Sequence, residues 1–237
     1  MKKAILFVVC LAFVVLLTAC SSETSEKTAA PMNQGSVQGE VGKKTDDSIY
    51  PVPANYQPSV DNGKKIYGQS CQSCHGQNGE GNPALGATAI NSPDFLKVAD
   101  EPFLTQLVYG GKKAMPAFKS QLTPEEIADV AAYIRSWSKE EPVPRGENFN
   151  VSIELGEQIY NQSCVGCHGT NGAGGSAPSL NDQNFLKAAS DQYLFTSIAD
   201  GRRGTAMTSF SIPTQGIQEL SEDEIKAVVS FIRSWQK

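Results

Sequence analysis

The chain has 237 residues, with 20 Lys and Arg against 25 Asp and Glu, a formal net charge of −5. Nothing in it is basic enough for nucleic acid, and the acidity favours solubility and a basic partner. It holds 6 Cys and only 2 His, and their placement decides most of the reading.

The chain opens on a targeting segment. Lys2 and Lys3 precede an apolar run from Ala4 to Leu17, 14 residues long, which is short for a membrane-spanning helix. The run ends Leu17-Thr18-Ala19-Cys20, similar to a bacterial lipobox. Residues 1–19 are expected to be a signal peptide, with Cys20 taking a lipid and becoming the new N-terminus. The alternative is an uncleaved anchor with Cys20 incidental. Cys10, inside the run, reads as a small hydrophobe. Residues 20–57 are rich in Ser, Thr, Gly, Pro, Gln and Lys and lack aliphatic periodicity. That is the composition of a disordered tether. Loss of the two signal lysines leaves the mature chain at −7.

After the tether comes Cys71-Gln72-Ser73-Cys74-His75, a C-x-x-C-H pentapeptide, and it returns as Cys164-Val165-Gly166-Cys167-His168. This is the attachment signature of a c-type haem: two thiols bond the porphyrin vinyls, and the adjacent His reaches the iron. The two motifs hold four of the 6 Cys and both His. A zinc site would lack a fourth ligand in each motif. A pair of disulfides would not require His after each pair. A thioredoxin-like motif needs a βαβ context, and neither flank reads as strand. Cys71, Cys74 and His75 are therefore read as holding one covalent haem c, and Cys164, Cys167 and His168 a second.

The flanks repeat as well. Gly63-Lys64-Lys65-Ile66-Tyr67 matches Gly156-Glu157-Gln158-Ile159-Tyr160 at an offset of 93 residues; Phe95-Leu96-Lys97 matches Phe185-Leu186-Lys187 at 90; Ile134-Arg135-Ser136-Trp137 matches Ile232-Arg233-Ser234-Trp235 at 98. Domains are expected at 58–140 and 151–237, joined by a short stiff linker, 141–150, containing Pro142 and Pro144. Each copy is small for one core, and a covalent haem supplies the missing apolar mass. Thr123-Pro124-Glu125-Glu126 is a capping box with Pro at the first helical position, and Ile127, Val130, Ala131 and Ile134 follow at helical spacing. Ser221 to Glu224 opens an equivalent helix. Short helices are also expected before each haem motif, at Pro102–Tyr109 and at Gln192–Ala199. No segment reads convincingly as strand.

Each copy resembles a class I cytochrome c domain, and the pair resembles the two-domain dihaem cytochromes c. The likeness rests on the haem motifs, on Gly63 and Gly156 where terminal helices cross in that family, and on Tyr67, Tyr133, Trp137, Tyr160, Phe231 and Trp235 as packing aromatics. It implies an all-α fold of short helices wrapped around covalently bound haem. It also implies a later Met on the other face of each iron. Met115 and Met207 recur at one position of the repeat, at an offset of 92, and are the expected axial ligands opposite His75 and His168. Met115 is followed by Pro116, as in the family; Met207 is followed by Thr208, a departure. The basic pairs Lys112-Lys113 and Arg202-Arg203 just before these Met read either as contacts to haem propionates or a partner's acidic patch, or as solvated loops.

The resemblance implies a carrier of single electrons outside the cytoplasmic membrane, and the lipobox-like Cys20 adds an expected lipid anchor to that membrane or to the outer membrane. The implied donors are a quinol-oxidising complex or a dehydrogenase. The implied acceptors are an oxidase, a reductase or another cytochrome. Two alternatives stay open: a dihaem peroxidase with an open iron in the second copy, and a fixed cytochrome subunit of a larger respiratory complex.

Overall fold

In the computed structural model the first repeat starts with helix α1 (Val60–Ser70), and Ser59 caps it by accepting from the backbone N–H of Asn62. The structure describes residues 52–214 and 216–237; the expected signal peptide, Cys20 and most of the tether lie outside them. The short α2 (Gln72–His75) carries the first haem motif and stops at Gly76, whose φ of 81° is a left-handed conformation that suits glycine. A 3₁₀ turn (Pro83–Leu85) and α3 (Pro93–Leu96) follow. Next come α4 (Glu101–Gly110) and α5 (Pro124–Arg135), the latter opened by the expected reciprocal capping box of Thr123 and Glu126.

The second repeat replays this order. It contains α6 (Ile153–Ser163), α7 (Val165–His168), a 3₁₀ turn (Thr170–Gly172), α8 (Gln183–Ala188), α9 (Asp191–Ala199) and α10 (Glu222–Arg233), again with a capping box, from Ser221 and Glu224. Among the described residues there is no strand, only isolated bridges such as Lys112 with Met115. The fold is all-α, as expected.

In each repeat the first and last helices cross at a glycine. A Cβ on Gly63 would lie 1.9 Å from the backbone oxygen of Asp129, and one on Gly156 would lie 2.0 Å from that of Ala227. No other residue permits so close an approach. The crossing buries apolar stripes: Ile225, Val228, Val229 and Ile232 of α10 are all 3% exposed or less. Each such side chain contributes roughly 1.5–3 kcal/mol by leaving water. Behind each crossing sits an aromatic trio. Tyr67 meets Tyr133 and Trp137 at centroid distances of 5.5 and 5.4 Å; Tyr160 meets Phe231 and Trp235 at 5.5 and 5.3 Å.

The described residues belong to one compact unit, and a continuous hydrophobic cluster runs through both repeats. Its bridge is aromatic. Phe103 of α4 stacks on Tyr193 of α9 at 4.3 Å and meets Phe185 of α8 edge-on at 6.3 Å. The linker is tied down over this seam. Val143 N–H donates to Lys97 O at 2.8 Å, while Arg145 holds the Asp100 carboxylate at 2.9 Å and the Ala188 carbonyl at 2.9 Å. The segment is thus held by tertiary hydrogen bonds to both repeats.

Candidate functional site: two haem-attachment strips

The haem motif is presented the same way in each repeat. The first thiol, Cys71 or Cys164, ends a helix by donating its backbone N–H to Tyr67 O or Tyr160 O, both at 2.9 Å. The chain then makes one short helical turn, Gln72–His75 or Val165–His168, that carries the second thiol and the imidazole. Cys71 is buried and Cys164 half-buried, whereas Cys74 and Cys167 are exposed; all four are free thiols. Burial pushes the Cys71 and Cys164 thiols up to about 11. They are therefore neutral near pH 7 and unlike the low-pKa thiolates of redox-active cysteines.

The imidazoles are half-buried. His75 Nδ1 faces Thr88 O at 3.3 Å and His168 Nδ1 faces Pro178 O at 2.9 Å. A ring N–H donated to a backbone carbonyl fixes the tautomer and leaves Nε2 as a free lone pair for a metal. Burial holds both imidazoles below their ordinary value, which also favours the neutral, ligating form. Behind each His, a tyrosine hydroxyl clamps the next residue: Tyr67 donates to Gly76 O at 2.8 Å and Tyr160 to Gly169 O at 2.7 Å. The sequence marks these tyrosines as packing residues; the clamp itself becomes visible only in three dimensions.

Met115 and Met207 sit on the turns that follow α4 and α9, half-buried against the core. Lys112 and Met115 exchange backbone hydrogen bonds at 3.0 Å in both directions. Arg202 N–H donates to Met207 O at 2.7 Å, and Met207 N–H to Thr205 Oγ1 at 3.1 Å. Free thiols and an oriented imidazole are what a covalent haem requires of its attachment motif, and the half-buried thioether of each repeat is the candidate second ligand.

The basic pairs also make contacts to the opposite repeat, although Lys113 and Arg203 remain exposed. Lys112 Nζ lies 3.5 Å from the Phe185 ring centroid, and Lys113 Nζ donates to Ala173 O at 3.0 Å. Arg203 Nη2 reaches Asp94 Oδ1 at 2.8 Å. Burial lowers the Lys112 ammonium to about 8, and Arg203 holds the Asp94 carboxyl below its ordinary range. Sequence reasoning missed Asp94 and Asn184, the acceptor and donor that receive these loops. They are polar residues beside an apolar pair, and nothing in the sequence marks them out from other surface residues.

Comparison with known proteins agrees with this geometry. The family model described as cytochrome C oxidase, cbb3-type, subunit III matches the chain twice, at residues 58–134 and 151–232. The Cbb3-type cytochrome c oxidase subunit FixP of Sinorhizobium medicae (strain WSM419) is 23% identical over 222 residues, covering 88% of this chain and 72% of that protein. The Cbb3-type cytochrome c oxidase subunit CcoP of Rhodobacter capsulatus is 30% identical over 189 residues, 73% of this chain and 61% of that one. Cytochrome c6 of Nostoc sp. (strain PCC 7120 / SAG 25.82 / UTEX 2576) is 42% identical over 91 residues, 35% of this chain and 73% of its own length. The chain thus spans less than the full length of these cbb3 subunits, and less than two thirds of the Rhodobacter one. With both repeats matched and both haem strips built alike, the chain belongs to the cytochrome c oxidase, cbb3-type, subunit III family, as a tandem of two cytochrome c domains carrying two covalently bound haem c groups.

Proposed function

We propose that this chain carries single electrons through two haems ligated by His75 with Met115 and by His168 with Met207, attached through Cys71, Cys74, Cys164 and Cys167. The observation that carries the reading is the matched pair of strips, each with its imidazole Nδ1 tied to a backbone carbonyl. A bound haem supplies a one-electron couple whose potential is raised by a thioether ligand and an apolar pocket. The chain's part is to fix the ligands, exclude water and hold the two repeats as one body. With His75, Met115, His168 and Met207 holding the irons, the haems would supply one-electron transfer, and no bond in a substrate would be made or broken.

The matched cbb3 subunits favour one acceptor among those implied by the sequence. We infer that the chain serves a cbb3-type oxidase, either as a fixed subunit or as a tethered donor to it. The remaining carrier readings, with a quinol-oxidising complex or dehydrogenase as donor and a reductase or another cytochrome as acceptor, are the alternatives. The lipobox-like Leu17-Thr18-Ala19-Cys20 supports attachment through a lipid on Cys20, at the outer face of the cytoplasmic membrane or at the outer membrane. Replacement of Cys20 by Ala should then release the protein from membranes.

The deciding experiment is an optical spectrum of the holoprotein, oxidised, then reduced with carbon monoxide added. A Met–iron charge-transfer band for both haems, and a reduced spectrum untouched by the gas, is the expected result. Carbon monoxide binding at one haem would move the reading to an enzyme with an open iron, and peroxide turnover would be the next assay. Copurification with integral membrane proteins in mild detergent separates the fixed subunit from the exchanging carrier.

A further inference from the structure

The turns that carry Met115 and Met207 are each braced from the other repeat. After α9 the chain turns at Gly201, where φ is 70°. Two residues on, Arg203 is caught by Asp94 of α3. Its backbone N–H donates to Asp94 Oδ2 at 2.6 Å, and its Nε lies 2.9 and 3.1 Å from the two carboxylate oxygens. The same turn is flanked by the Lys97–Asp200 pair and by Arg202, whose guanidinium lies 5.7 Å from the Phe95 ring centroid.

The converse holds for the first turn. Asn184, which occupies in the second repeat the position of Asp94 at an offset of 90, donates from Nδ2 to Gly111 O at 2.6 Å and Gln106 O at 3.1 Å. Its Oδ1 accepts from Gln106 Nε2 at 2.6 Å. The two residues differ as their partners demand. A carboxylate stands where the facing turn offers an N–H and a guanidinium; an amide stands where it offers carbonyls. The stronger, charge-assisted clamp falls on the turn that has Thr208 where the other has the stiffening Pro116.

Magnitude decides which bond matters. The Arg203 side chain is 76% exposed, and an exposed ion pair is worth little. The Asp94 side chain is 16% exposed, and its bond to the Arg203 backbone N–H restrains the chain four residues before Met207. That bond is the one a ligand loop would feel.

We propose that Asp94 is a positioning residue for Met207, and Asn184 for Met115, so that each repeat holds the axial thioether of the other. This rests on Met115 and Met207 being the axial ligands. The test uses the full-length holoprotein with Asp94→Ala, Asp94→Asn, Asn184→Ala and, as references, Met207→Ala and Met115→Ala. The readouts are the two ring-current-shifted Met methyl signals in the proton spectrum of the reduced protein, assigned by the Met variants, and carbon monoxide affinity.

Asp94→Ala should broaden or remove the Met207 signal, leave the Met115 signal unchanged, and raise carbon monoxide affinity at one haem on the order of tenfold, the size of one lost charge-assisted bond. Asp94→Asn should fall between Asp94→Ala and the native protein, and Asn184→Ala should act on Met115 alone. The inference is overturned if Asp94→Ala leaves the Met207 signal and gas affinity native, or disturbs both Met signals alike, which would be general loosening of the fold. If Met207→Ala changes neither readout, the ligand assignment itself fails, a result distinct from failure of the brace.

Discussion

Arg233 donates from Nε to Asp191 Oδ1 at 2.5 Å, and the carboxylate is 2% exposed. The same guanidinium reaches Leu186 O at 2.5 Å and also Ala189 O. It thus staples the end of α8 and the start of α9 to the end of α10, while Asp191 accepts the Phe149 N–H at 2.6 Å and draws in the linker. In the first repeat Arg135 reaches the matching carbonyls, Leu96 O at 2.5 Å and Ala99 O at 3.2 Å, and also Glu140 O at 2.8 Å. It has no carboxylate partner among the described residues.

The two arginines should therefore differ in cost. Arg233→Ala leaves a buried carboxylate without its cation and is expected to lose about 3–5 kcal/mol. Arg135→Ala strips hydrogen bonds from carbonyls and is expected to lose about 1–3 kcal/mol. Urea unfolding followed by far-ultraviolet circular dichroism would rank them; equal losses would remove the buried pair from the explanation.

Two glycines of α1 should respond in opposite senses. Gly63→Ala drives a methyl into the Asp129 backbone and should cost at least the roughly 1–3 kcal/mol of an overpacked core. A Cβ on Gly68 meets nothing nearer than Gln72 Oε1 at 3.8 Å, so Gly68→Ala should gain about 0.5–1 kcal/mol from helix propensity. The measurement is the unfolding midpoint of each variant, and a stable Gly63→Ala protein would refute the close crossing.

Asp129 is 1% exposed and gathers the entry of the domain. It accepts from Tyr56 Oη at 2.8 Å, Ser59 N–H at 2.6 Å and Asn62 Nδ2 at 2.7 Å. Asp129→Ala should destabilise by about 1–3 kcal/mol, since it leaves donors unsatisfied at a half-buried site. It should also open a new proteolytic cut between residues 52 and 59. Unchanged cleavage there would show that other contacts hold the segment.

An alkaline limit follows from the tyrosine clamps. Burial pushes the Tyr160 phenol up to about 12, and that of Tyr67 higher still. A group whose folded value is raised stabilises fully below its unfolded value, about 10, and loses that contribution as pH rises toward the folded one. Stability should thus fall between about pH 10 and 12, and Tyr160→Phe should flatten part of that fall while costing about 0.5–1.5 kcal/mol at neutral pH. Unfolding free energy measured across this range would check it.

Much of the site can be read in the sequence because its chemistry is local. Cys71 to His75 and Cys164 to His168 fit in single turns of chain, so their spacing alone points to haem attachment and to a proximal His. Thr123 with Glu126, and Ser221 with Glu224, announce helices for the same reason: a cap is a bond between residues three apart. Gly63 and Gly156 stand out because the repeat presents them twice. By contrast nothing local distinguishes Asp94, Asp129, Asn184 and Asp191 from the polar residues around them or elsewhere on the chain. Their partners lie dozens of residues away, and no periodicity points to them.

The basic pairs show the boundary most sharply. From sequence, Lys112-Lys113 and Arg202-Arg203 are charged loops beside a candidate ligand, open to a propionate, a partner or water. In the fold they meet Phe185, Ala173, Phe95 and Asp94 of the opposite repeat. The sequence by itself determined the two haem motifs, the six longer helices and the repetition, since each rests on covalent spacing or on periodic burial along one helix, whereas the short α3 and α8 carried no such signal. Only the tertiary structure decided how one repeat braces the other, because the seam is built from hydrogen bonds and ring contacts between residues that chain order keeps far apart.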